Sequence, residues 1–209
     1  MRERLIELAA HCPEYALGFE DEVWWSRVTQ PALHAWTAEG ETLRLVEQSV
    51  TQSDPDPKAL ACYGLLISCP AAPEPQPEQI WLRFVEGRPV SAMTTQYLTW
   101  CCEKLEEMGK TALILIWDNA SWHASHEVRN WLREHNQTVK QRGQGVRIVP
   151  FYLPTKSPWL NRIEPYWVHG KRNIVEPARL LSAQEVADRI CAYFDCAHEP
   201  HLSLTETLS

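Results

Sequence analysis

TALILIWDNASWH, residues 111–123, decides how this chain folds: six apolar residues run from Ala112 to Trp117 and stop at Asp118 and Asn119. The run is too short and too apolar for a surface helix, so it predicts a central strand covered on both faces. A carboxylate at the end of such a strand raises a chemical question, because open α/β sheets place their sites where strands deliver side chains into loops.

On either side of this strand the sequence alternates strand and helix patterns. SAMTTQYLTWCCEKLEEMG (91–109) predicts an amphipathic helix, with Tyr97, Cys101, Leu105 and Met108 inward and Gly109 at its C-terminal cap. HEVRNWLREHNQTVKQR (126–142) predicts a second, with Val128, Trp131 and Leu132 inward, and VRIVPFYLP (146–154) another buried strand. Two further helical segments are expected around IEPYWVHGKR and SAQEVADRICAYFDCA. Upstream, YALGFEDEVWWSRV (15–28) alternates with period two, placing Asp21 on the face of Tyr15, Leu17, Phe19, Val23 and Trp25, with Glu20 and Glu22 on the other. ALHAW, TLRLVEQ, LACYGLLIS and IWLRFVEG read as more strands. Four prolines within residues 70–77 mark an exposed loop. A run of strands followed by alternating helices and strands indicates an α/β three-layer domain with a mixed sheet.

Composition narrows the function. The 209 residues are 44% hydrophobic and 22% charged, enough for one sizeable core, and no apolar run approaches the roughly 20 residues that span a bilayer. A cytoplasmic location is the default expectation. Seven cysteines without paired CxxC spacing suggest reduced packing residues, not a disulfide framework or a structural zinc site. The net charge of −7 argues against a nucleic-acid partner, but 11 acidic and 5 basic residues within positions 1–60 account for −6 of it. Between Arg129 and Arg179 ten Lys and Arg face three Glu, so a basic surface is available there.

Asp21 points with an apolar set, where an unpaired carboxylate is costly unless a cation or hydrogen-bond donors meet it. In LPTKSPWLNRIEPYWVHGKR (153–172), Asn161 and Glu164 have capping-box spacing, which predicts a helix start that favours an ionised Glu164. Asp118, Asn119 and His123, followed by Leu153, Pro154, Ser157, Pro158, Leu160, Asn161, Ile163, Glu164 and Trp167, resemble the second and third catalytic motifs of DDE transposases, in particular bacterial insertion-sequence relatives of the mariner elements. GFEDEVWW resembles the first motif, with Asp21 as its catalytic residue and Glu20 and Glu22 as flanking alternatives.

The resemblance implies one ribonuclease H-like DDE catalytic domain over residues 1–209. Asp21, Asp118 and Glu164 would converge to hold two Mg2+ (or Mn2+) ions about 4 Å apart. The implied reaction is phosphodiester hydrolysis at a transposon end, followed by attack of the freed 3'-hydroxyl on target DNA. Lys156, Lys171 and Arg172 are candidates for phosphate contacts. His123 either approaches the phosphate or holds the strand-end loop, Asn119 and Asn161 support the site, and Trp122 is a candidate for DNA contact. Only 20 residues precede Asp21, which leaves no room before it for a helix-turn-helix domain. A separately encoded helix-turn-helix half is therefore an expected partner, alongside DNA and a second copy in a homodimer. The alternatives are a non-cutting truncated transposase that acts as a dimerising regulator, and a general ribonuclease H-like nuclease.

Overall fold

Ala112–Trp117 (β4) is a strand in which every residue is buried. The structure, a computed structural model, describes residues 2–28, 50–72, 77–155, 157–174 and 179–204. The strands expected at 32–36 and 42–48, the middle of the proline-rich loop and Lys156 lie outside the described residues. The other elements are α1 (Arg2–His11), β1 (Tyr15–Ser26), β2 (Ala59–Ser68), β3 (Gln79–Val85), α2 (Ser91–Glu107), α3 (His126–Arg142), β5 (Arg147–Tyr152), a 3-10 turn (Pro158–Leu160), α4 (Glu164–Ile174) and α5 (Ala183–Tyr193).

Among the described residues the sheet has the order β3-β2-β1-β4-β5. β1 runs antiparallel to β2 and parallel to β4, and β4 runs parallel to β5, which makes the sheet mixed as expected. Side-chain alternation divides the core into two layers. Leu17, Phe19, Ile114 and Ile116 pack with Ile163, Trp167, Val186 and Ile190 of the α4 and α5 side. Leu113, Leu115 and Trp117 pack with Tyr97, Leu98, Leu105, Val128 and Leu132 of α2 and α3 on the other. Because the side-chain period of a strand is two, Asp21 and Asp118 continue the first set and emerge on the α4 side, while Glu20 and Glu22 emerge on the opposite one.

Helix ends follow local chemistry. The Ser125 hydroxyl accepts from the Val128 N–H to start α3, and Gly143 at φ +67 ends it in the left-handed conformation that glycine adopts at least cost. α5 opens with a capping box between Ser182 and Glu185.

Two sequence expectations require correction, and one element was not expected. VRIVPFYLP is not a buried strand: among the described residues β5 is an edge strand of the sheet and Val149 is 38% exposed. Pro150, which has no N–H to give a further partner, suits an edge position. Met108 is 40% exposed because α2 ends at Glu107 and its inward stripe stops at Leu105. α1 has no counterpart in the sequence reading; Ala9 is its one fully buried residue, so its apolar periodicity is weak.

Candidate active site

The register of the parallel β1–β4 pair fixes the centre of the site. Phe19 lies opposite Ile116, and two residues further along each strand the chains deliver Asp21 and Asp118 side by side, on the same face. Glu164, the first residue of α4, closes the group from above. All three carboxylates line one cavity of about 210 Å3, whose other walls include Asn119, Leu153, Ser157 and Asn161.

Each carboxylate has a different environment. The Trp167 indole N–H donates to Asp21 Oδ2 at 2.9 Å. Even so, burial and then the neighbouring Glu164 carboxylate push the Asp21 carboxyl up to about 8. Asp118 is held below the usual carboxylate range, first by the hydrogen bond from His123 (2.9 Å to Nδ1) and then by the Ala120 N–H (2.8 Å). Burial raises Glu164, and the charge of nearby Lys171 opposes that rise. Three carboxylates in one cavity, one of them held mainly protonated near neutral pH by burial and its neighbours, form a donor set that fits hard divalent cations.

Asn119 donates its carboxamide N–H to the Leu153 carbonyl, tying the loop after β4 to the end of β5. Asn161 is placed differently from expectation. Its side-chain amide donates to the Glu20 carbonyl at 2.8 Å and its own backbone carbonyl meets the Glu164 N–H at 3.3 Å. The capping box does not form: the Asn161 Nδ2 is committed to β1, and its Oδ1 accepts from the Ile163 N–H at 3.5 Å, not from the Glu164 N–H. The Nδ2 bond nevertheless helps seat Glu164, since it fixes the start of α4 to the strand that carries Asp21. Arg2 donates to the Leu160 carbonyl at 3.0 Å, so α1 braces the same turn.

His123 does not face the cavity. It is 0% exposed, stacked on Trp117 with ring centroids 4.6 Å apart, and its imidazole bridges Asp118 through Nδ1 and Glu22 through Nε2 at 2.8 Å. These two contacts tie the loop after β4 to β1. Burial alone would lower its pKa, but Glu20, Asp118 and Glu22 outweigh that and hold it well above the ordinary histidine range. The Trp122 indole, a candidate for DNA contact, donates to Glu22 Oε1 at 2.5 Å. Lys171 and Arg172 are exposed on α4.

Sequence reasoning missed the shared partner of Glu20 and Glu22. Period two placed them together on the far face, but His123 reaches them from about a hundred positions away. Among the described residues, Glu20, Glu22 and His123 are the group whose ligand atoms all lie within 4.8 Å of one another; the three cavity carboxylates are spread more widely.

A mixed sheet of this order, with Asp21 on its middle strand β1, Asp118 just after β4 and Glu164 at the start of α4, has a ribonuclease H-like arrangement. The chain belongs to the DDE superfamily endonucleases, whose pattern it matches over residues 17–187. Among solved structures it is similar to the Mos1 transposase paired-end complex with left transposon end, at 14% identity and a TM-score of 0.61, covering 93% of this chain and 52% of that one. It is similar also to the Mos1 strand transfer complex (13%, TM-score 0.55, 88% and 48%) and to the Mos1 mariner paired-end complex with Mn (14%, TM-score 0.57, 88% and 48%). The chain thus spans about half the length of these transposase chains. No curated protein matches it significantly. Among the described residues no helix is long and apolar enough to cross a membrane.

Proposed function

We propose that this chain is the catalytic domain of a metal-dependent DNA transposase. It hydrolyses a phosphodiester at a transposon end and then directs the freed 3'-hydroxyl against target DNA. The observation that carries the reading is the convergence of Asp21, Asp118 and Glu164 on one cavity from three separate elements.

These residues are the proposed ligands of two Mg2+ or Mn2+ ions. Bound there, divalent cations supply Lewis-acid stabilisation to the attacking and leaving oxygens of an in-line displacement. The chain supplies placement. Trp167 aims Asp21, His123 and the Ala120 N–H aim Asp118, and the bond from Asn161 to the Glu20 carbonyl keeps α4 seated so that Glu164 stays over both. Such fixed ligands cost little reorganisation at the moment of reaction. Lys171 and Arg172, further along α4, are proposed to grip the DNA backbone without reading its bases. Binding to transposon ends, homodimerisation and a separate helix-turn-helix half belong to the same proposal. Mn2+ and Mg2+ accompany Mos1 in its paired-end complexes, which supports the choice of ion.

The test is nicking of supercoiled DNA by the purified protein with Mn2+. Wild type converts it to open circles, and Asp118→Asn does not; equal nicking by both overturns the proposal.

A further inference from the structure

Behind the cavity, on the α2 and α3 side of the sheet, lies a second group of ligating atoms. Glu20 is 1% exposed, and neither of its carboxylate oxygens has a hydrogen-bond partner. His123 Nε2 stands 3.2 Å from Glu20 Oε2, outside hydrogen-bonding geometry, while its 2.8 Å contact is with Glu22 Oε1. An imidazolium bridging Glu22 and Asp118 therefore leaves a buried carboxylate unsatisfied, which native proteins seldom tolerate without an ion or a water.

We propose that Glu20, Glu22 and His123 form a second, buried cation site that takes Mn2+ or Zn2+ and ties β1 to the loop after β4. Ligands held about 2.1 Å from a first-row ion stand about 3 Å apart when they lie at right angles. The observed 2.8 and 3.2 Å separations fit that spacing with little movement. The outer shell is also in place. His123 Nδ1–H donates to Asp118, so an ion bound at Nε2 would displace the other ring proton to solvent and hold the Nδ1–H tautomer. Trp117 stacks on the ring, the Tyr152 hydroxyl donates to the His123 carbonyl, and the Trp122 N–H donates to the ligating carboxylate Glu22. One nitrogen and two carboxylates select a borderline transition ion, whereas the all-carboxylate front cavity suits Mg2+. Through His123 the rear ion would hold Asp118 in the orientation that the front site requires.

The experiment needs no DNA, so its outcome is independent of whether the chain cuts. Protein in a hundredfold excess of Mg2+ over Mn2+ is examined by pulsed electron paramagnetic resonance. One retained equivalent of Mn2+ carrying imidazole 14N modulation is expected. Glu20→Gln is expected to weaken that binding about tenfold or more and to remove the modulation, while Glu164→Gln keeps both. Absence of 14N modulation in wild type overturns the site by itself, whether or not the variants fold. Unchanged Mn2+ binding and modulation in a folded Glu20→Gln protein overturns it equally.

Discussion

Asp21 and Asp118 are neighbours with opposite electrostatics. One is pushed up to about 8 by burial and Glu164, and the other is held down by hydrogen bonds from His123 and Ala120. Asp118→Asn keeps the shape and removes the charge of a proposed ligand. Mn2+-dependent nicking should fall at least a hundredfold, since even outer-shell changes at metal sites cost about 10–100-fold. His123→Asn is expected to act twice. Cleavage should drop about 10–100-fold through the loss of its hold on Asp118. Stability should fall by roughly 3–5 kcal/mol, because Glu20 and Glu22 would lose their buried positive partner. Urea unfolding with the same midpoint as wild type would contradict the latter. At this scale the sequence showed which face Asp21 occupies, because alternation in β1 depends on neighbours alone. It did not show that the Asn161 amide N–H turns to β1, because its acceptor, the Glu20 carbonyl, lies 141 positions away.

α4 is the element that turns the ends of β1 and β4 into a site, and it docks through close contacts, of which that at Gly64 lies nearest Asp21. Gly64 of β2 pairs with Asp21, and a Cβ added there would come within 2.3 Å of Trp167 Cη2. Gly64→Ala should therefore displace the indole that donates to Asp21. The expected result is a loss of about 1–3 kcal/mol in thermal or urea unfolding, from overpacking. A fall in nicking larger than the lost stability explains should accompany it, and a variant with wild-type activity would show that Trp167 does not position Asp21. Asn161→Ala removes the bond between the start of α4 and β1. It leaves a buried carbonyl without its donor, at a cost of roughly 1–3 kcal/mol by the same measurement. The helices were legible from their periodicity and caps, but burial along β5 was not. Apolar content predicts a covered strand, whereas Pro150 at the sheet's edge carries the opposite signal.

For the whole molecule, the carboxylates crowded around the end of β1 make metal-free stability depend on pH. Asp21 titrates near 8 when folded and about 3.9 when unfolded, so between those values the native state holds a proton that the unfolded chain releases. That stabilisation is complete below about pH 4 and is lost as pH rises to about 8. His123, also raised, adds to the fall, because its stability is present below its unfolded pKa and lost as pH rises through the folded one. In chelator the urea midpoint should decline from pH 5 to pH 8, and Mn2+ should flatten the slope by replacing the proton. A chelated protein that gains stability over this range would contradict the assignment. At this scale most of the fold was legible, since six apolar residues ending at Asp118 already required a central strand. The convergence of three carboxylates emerged only when LNRIEPYW was set beside that strand, since no local pattern encodes a contact between β1, β4 and α4. The most direct test of the site is anomalous diffraction at the manganese edge from crystals soaked in Mn2+. The account predicts peaks coordinated by Asp21, Asp118 and Glu164, and a map with no manganese at those three carboxylates would contradict it.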